Sequence, residues 1–162
     1  MTYVKPKYKG WNSPEIFWRT NDDSASWNKT YWGRLIKWNG HFNQIEQTIK
    51  RLKENKDSKT ICASVYDPTT DGKKTMSGMP CLLSIDLKPR DGKLFLNAFF
   101  RSQAISKSGY ADFTALVEMQ RMLCREAQLE RGTITNIATS AHIRSANDEK
   151  KNTLKLLEIL DK

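Results

Sequence analysis

The chain has no uninterrupted apolar run near the roughly 20 residues that a membrane helix needs. Its first residues, Met1-Thr2-Tyr3-Val4-Lys5, hold no signal-peptide core. Three cysteines, an odd number without framework spacing, argue against a disulfide scaffold and for a reducing compartment. The expected location is therefore cytoplasmic. Zinc-ligand spacing is lacking, so no metal is expected. The eight glycines form no phosphate-cradling loop, and no aromatic ribonucleoprotein motif occurs.

What is present is positive charge. A net charge of +9 over 162 residues calls for an anionic partner such as nucleotide phosphate or nucleic acid. Lysines are spread through 5–9, 50–59, 73–74 and 148–155, the pattern of a solvated surface rather than a reading helix. One domain fits this length, and it is large enough to bury a core.

Residues 1–30 carry Trp11, Trp18 and Trp27 with weak periodicity and are expected to form an irregular arm before a domain over 31–162. Phe42, Ile45, Ile49 and Leu52 recur at helical spacing, with Asn43 near the start, and predict a helix over 42–55. Strands are predicted over 60–66, 79–88 and 94–101, the last two joined by a turn at Arg90-Asp91-Gly92-Lys93. Ser106-Lys107-Ser108-Gly109 opens a second helix with a buried stripe of Leu116, Met119, Leu123 and Ala127, ending at Arg131-Gly132. A strand over 133–140 follows, then a helix capped by Asn147 and carrying Leu154, Leu157 and Leu160. The order α-β-ββ-α-β-α is that of an α+β domain, a mixed or antiparallel sheet packed by helices.

Three places on this frame could carry chemistry. Cys81, after Pro80, is a candidate nucleophile: a thiolate adds to electron-poor carbon such as C6 of a pyrimidine, and Arg101 could supply the cation that favours it. Equally, Cys81 falls in the alternation Cys81, Leu83, Ile85, Leu87 and could be inert core. Cys62 and Cys124 lie in ordinary apolar patterns and read as structural. Arg101-Ser102 offers a guanidinium beside a hydroxyl, suited to phosphate or to a surface ion pair. His142 could bond a sugar hydroxyl or a backbone carbonyl.

Pro80-Cys81, Asp91-Gly92-Lys93-Leu94, Arg101-Ser102 and Ala141-His142-Ile143 together resemble the thymidylate synthase superfamily, which includes the pyrimidine nucleotide hydroxymethylases. The separations, 20 residues from 81 to 101, 11 from 101 to 112 and 30 from 112 to 142, agree without a gap. Tyr31-Trp32-Gly33-Arg34, Asn43-Gln44-Ile45 and Lys56-Asp57-Ser58-Lys59 resemble the segments before the catalytic strand, so the similarity covers roughly 27–150.

The resemblance implies roles. Cys81 matches the nucleophile that attacks C6. Arg101 and Ser102 match residues on the 5′-phosphate, and Lys59 falls where an arginine reaches the neighbouring subunit's phosphate. His142 matches a residue on the sugar 3′-hydroxyl. Arg144 replaces a sugar-binding tyrosine and could meet a phosphate. Asp112 stands where synthases acting on uracil have asparagine, and the cytosine-specific hydroxymethylases share this aspartate; a helix-start carboxylate is the plainer account. A homodimer with shared sites and 5,10-methylenetetrahydrofolate as donor are also implied.

The pattern departs at Leu82, Phe100 and Ala104, where the superfamily has histidine, glutamine and aspartate. The segments that hold the catalytic glutamate and close over folate find no counterpart, and Glu15, Asp22, Asp23 and Asp67 are open candidates for the carboxylate. The implied function is one-carbon transfer to C5 of a pyrimidine nucleotide, hydroxymethyl or methyl, cytosine preferred over uracil. Two alternatives stand beside it: a non-catalytic nucleotide-binding member of the same fold, and a basic protein binding single-stranded nucleic acid.

Overall fold

Polar side chains start the first two helices. The computed structural model describes residue 28, residues 30–73 and 79–143, and helical positions 151, 152, 154, 155 and 158. Thr30 Oγ1 accepts the N–H of Gly33 and caps α1 (Tyr31–Ile36). Asn43 Oδ1 accepts the N–H groups of Ile45 and Glu46 and caps α2 (Gln44–Glu54). Both side chains satisfy donors that a helix start leaves unpaired. The helix predicted over 42–55 is therefore present, started by the expected asparagine, although Phe42 lies before it and is exposed. No helix was expected at α1, whose six residues are too few to show a period.

The strands are β1 (Ile61–Ser64), β2 (Leu82–Arg90), β3 (Lys93–Phe100), β4 (Gln103–Ala104), β5 (Glu130–Ala138) and β6 (Ala141–His142), with α3 (Tyr110–Ala127) between β4 and β5. β1, β2, β3 and β5 form a sheet in that order. Its first two pairings are antiparallel and the third is parallel, so the sheet is mixed. β4 and β6 form a separate parallel pair. Asp91 and Gly92, with φ of 48° and 72°, make the β2–β3 turn, the geometry that follows the strands' twist.

One core serves the described residues. Ile61 and Ala63, Ile85 and Leu87, then Leu94, Leu96, Ala98 and Phe100 bury one face of the sheet against Leu52 of α2 and Leu116, Met119, Leu123 and Ala127 of α3. Each large aliphatic side chain so buried contributes about 1.5–3 kcal/mol. The α3 stripe is the predicted one. On the opposite face of the sheet Phe99 and Ile137 are exposed. Cys62 also lies exposed, at an outward position of β1, so it is not a core residue.

Two glutamines join helices to strands. Gln44 Nε2 donates to the carbonyls of Arg34 and Ser64 while its Oε1 accepts the Ser64 N–H, adding a rung to the edge of β1. Gln120 Nε2, from α3, donates to the carbonyls of Leu94 and Gly132 where the β3–β5 register shifts.

The second predicted helix ends earlier than expected. It stops at Ala127 with Gln128 left-handed at φ 55°, and Arg131-Gly132 lies inside β5. Gly132 serves close approach instead: a Cβ there would stand 2.9 Å from the Leu94 carbonyl oxygen and 2.9 Å from the Phe95 ring. The arm over 1–30, apart from Asn28 and Thr30, lies outside the described residues, as do Asn147, Leu157 and Leu160. Leu154, expected on the last helix, is helical and exposed.

Candidate active site

Cys81 stands at the mouth of β2, and a β-bulge decides which way it faces. Leu82 pairs with Phe100 and Ser84 with Phe99, so Leu83 is the extra residue. The bulge reverses the alternation, putting Leu82 in the core with Ile85 and Leu87. The face predicted to join Cys81 and Leu83 to Ile85 and Leu87 is thus broken, and Cys81 is half-buried. The Leu83 carbonyl, turned aside by the bulge, accepts the N–H groups of Val65 and Tyr66.

Two contacts hold the cysteine's backbone, and three more hold the residues beside it. Its N–H donates to the phenolic oxygen of Tyr31 at 3.2 Å, and the Leu82 N–H reaches the same oxygen at 3.4 Å. Its carbonyl accepts the Arg101 backbone N–H at 2.9 Å. The Arg101 guanidinium donates from Nε to the Pro80 carbonyl at 2.9 Å and from Nη2 to the Met79 carbonyl at 2.8 Å. Arg101, expected to act on the thiol as a charge, is engaged with the backbone that presents it.

Cys81 opens on a cleft of about 200 Å³ whose wall includes Thr30, Tyr31, Arg34, Met79 and Pro80. Arg34 is 2% exposed and makes a two-pronged pair with Asp71, 2.5 Å from Nη1 to Oδ2 and 2.9 Å from Nη2 to Oδ1. It also donates to the carbonyls of Asn28 and Val65. Asp67, a candidate for the missing carboxylate, is instead a loop anchor. The Thr69 hydroxyl, first among its hydrogen bonds, holds its carboxyl below the usual range.

Tyr31 links the cysteine to the aspartate. Burial first, then the negative charges of Cys81 and Asp112, pushes its phenol up to about 12. Asp112, in the first turn of α3, is 4% exposed, and burial raises its carboxyl to about 6 against hydrogen bonds from Gln103 and Ser108. Before α3 the chain makes a π-turn (Ile105–Gly109), the kind of local irregularity found at functional sites. The parallel β4–β6 pairing sets Ala104 beside His142, and Ser102 Oγ lies 3.3 Å from His142 Nδ1.

The predicted residues therefore divide. Cys81, Arg101 and Asp112 gather around Tyr31 and the start of β2. Ser102 and His142 form a second pair, with His142 exposed. Lys59 is exposed before β1, and Arg144 lies outside the described residues. Among the described residues no group of three or more histidines, cysteines or acids could hold a metal, and no helix is long and apolar enough to cross a membrane.

Residues 3–156 match the family model described as Thymidylate synthase. The chain belongs to the thymidylate synthase family. Over 114 residues it is 34% identical to a Methanosarcina mazei protein described as "Putative thymidylate synthase", covering 70% of this chain and 52% of that one. Proteins of the same description from Methanosarcina barkeri (32% over 124 residues, 76% and 56% covered) and Methanothermobacter marburgensis (32% over 138, 83% and 60%) are similar. The chain thus spans little more than half the length of these curated relatives.

The family typically draws its carbon unit from 5,10-methylenetetrahydrofolate. The cleft beside Cys81 does not fit that group by itself: at about 200 Å³ it is smaller than the usual pocket of roughly 300–1,000 Å³ for such ligands. No carboxylate lines it to meet the amino edge of a pterin.

The contributions of Tyr31, Gln103 and Arg34 were not foreseen. Tyr31 and Arg34 stand in one of the segments that carry the resemblance, but a tyrosine that uses its oxygen on another strand's backbone leaves no trace in spacing. Gln103, beside the Arg-Ser pair, looks like any polar strand residue.

Proposed function

We propose that this chain binds a pyrimidine nucleoside monophosphate and activates its C5 position for one-carbon transfer, with cytosine preferred over uracil. What supports the reading is the family match over residues 3–156 together with the anchoring of Cys81, whose N–H is held by the Tyr31 phenol at 3.2 Å.

Attack of the Cys81 thiolate on C6 opens the C5=C6 bond and leaves the electron pair on C5, ready for an electrophilic carbon unit, methyl or hydroxymethyl. Asp112 reads the base. A carboxyl with pKa about 6 takes up a proton at little cost near neutrality. Protonated, it donates to the unprotonated N3 of cytosine while its other oxygen accepts from the N4 amine. Uracil presents the opposite pattern. In this reading Arg101 and Ser102 take the 5′-phosphate, His142 takes the sugar 3′-hydroxyl, Lys59 serves a neighbouring subunit's phosphate, and Arg144 is a further phosphate contact.

Two further readings go with this one. The sheet face on which Phe99 and Ile137 are exposed supports a two-fold homodimer. Three free thiols suit the reducing cytoplasm.

The test is release of tritium from 5-tritiated dCMP with methylenetetrahydrofolate present. We expect release from dCMP to exceed that from dUMP, and Cys81→Ser to abolish it. Tight mononucleotide binding without release from either would replace the enzyme by a nucleotide-binding member of the fold. Salt-sensitive binding to single strands alone would replace both.

A further inference from the structure

Behind Asp112 lies a chain of two amides. Gln103, 1% exposed, donates from Nε2 to Asp112 Oδ2 at 3.1 Å. Its Oε1 accepts from Asn136 Nδ2 at 2.8 Å. Asn136 stands on the core-facing side of β5, opposite Ala98, where its neighbours in alternation are Ile134 and Ala138. Its own Oδ1 is buried and has no partner among the described residues.

The direction of this chain is not free. An ionised carboxylate only accepts, so Gln103 must present its amine to Asp112 and its oxygen to Asn136. Asn136 must then turn its amine inward, which leaves its oxygen unpaired. A leucine at 136 would fill an apolar row without that unpaired acceptor. The polar group is accounted for by what it does for Gln103: it gives the glutamine's buried Oε1 a donor, so Gln103 keeps its amine toward Asp112 without leaving its own oxygen unpaired. Gln103 is held again through its backbone, whose N–H donates to the Ser140 carbonyl at 2.9 Å.

We propose that Gln103, oriented by Asn136, is the positioning residue that fixes how Asp112 presents its carboxyl, and with it the choice between cytosine and uracil. The second half rests on the base-reading role given to Asp112 above; the first does not. Tyr31 of α1 is the titratable group that acts with Asp112, and its phenol, at about 12, stays neutral over the range of interest. Cys81 acts on that same phenol. Gln103 of β4 and Ser108 of the π-turn are neutral partners.

The experiment follows the Asp112 carboxyl by carbon-13 NMR across pH in the whole protein, with dCMP and dUMP affinities measured by calorimetry on the same samples. Gln103→Met keeps the length and removes the donor. Its Asp112 midpoint is expected to rise by about one pH unit, the scale of one hydrogen bond to a charged group. Asn136→Leu, which frees the glutamine to turn, is expected to raise the midpoint by part of that. Measured at about pH 5, where the carboxyl is mostly protonated in both proteins, preference for dCMP should fall about tenfold in Gln103→Met.

An unchanged midpoint in a variant whose amide spectrum shows it folded overturns the proposal, whatever the nucleotides do. Should Gln103→Met not fold, Asn136→Leu on the outer strand decides the same question. A raised midpoint in a protein whose wild type does not distinguish the two nucleotides retains Gln103 as the residue that positions Asp112 and overturns its link to base choice.

Discussion

The phenolic oxygen of Tyr31 accepts the backbone N–H of Cys81 at 3.2 Å, joining residues 50 positions apart in the chain. A side chain from the first short helix thus completes the hydrogen bonding of the residue before β2. It is also the point at which Cys81 and Asp112 both make their charge felt.

Tyr31→Phe keeps the ring and leaves the N–H groups of Cys81 and Leu82 without that acceptor. The expected loss is about 1–3 kcal/mol, measured as a shift in the urea midpoint at unchanged slope. A midpoint equal to wild type would mean that water replaces the phenol at no cost.

Arg34 and Asp71 are 2% and 0% exposed, so removing one partner strands a buried charge. Arg34→Met is expected to destabilise the fold by about 3–5 kcal/mol, and the double variant Arg34→Met, Asp71→Leu by less than the single one. The comparison of the two urea curves checks this. A double variant worse than the single would point to the Asp67 N–H, which Asp71 Oδ2 also accepts, as the partner that matters.

Asp112 makes stability depend on pH in an unusual direction. Its carboxyl rises from 3.8 to about 6 on folding, so between those values the native state holds the proton more firmly than the unfolded chain. Its contribution is complete below about pH 4 and is lost as pH climbs through 6, a change of about 3 kcal/mol. Asp112→Asn has no such proton. The stability difference, wild type minus variant, should fall by about that amount between roughly pH 4 and pH 7, and a difference constant with pH would refute the shift.

Gly132→Ala places a methyl 2.9 Å from both the Leu94 carbonyl oxygen and the Phe95 ring. Overpacking of this kind costs about 1–3 kcal/mol, and thermal melting reads it. An alanine variant as stable as wild type would show that β3 and β5 separate without penalty.

Much of this fold was legible in local pattern. Asp-Gly between two apolar alternations marks the β2–β3 hairpin because few other pairs accept two positive φ values. Leu116, Met119, Leu123 and Ala127 mark α3 because one helix face is all that such spacing can bury. The failures have physical causes. Gly132 ended the predicted helix because a glycine after a helical stripe usually stops it, whereas here it admits Phe95. The Leu83 bulge was invisible because an inserted strand residue leaves the apolar count intact while reversing which neighbours face inward. At the site, type and spacing pointed to Cys81, Arg101 and Asp112. What each one bonds could not be read, since Arg101 meets backbone carbonyls and Asp112 meets an amide set by another strand.

The anchoring of Cys81 has a kinetic consequence. Its N–H is held by Tyr31, its carbonyl by the Arg101 N–H, and Pro80 before it has a ring-fixed φ. The sulfur is left with a single soft coordinate, rotation about its own Cα–Cβ bond, which moves between staggered wells in picoseconds to nanoseconds. A thiol mounted on one rotor can approach a group in the cleft and withdraw from it without moving the main chain.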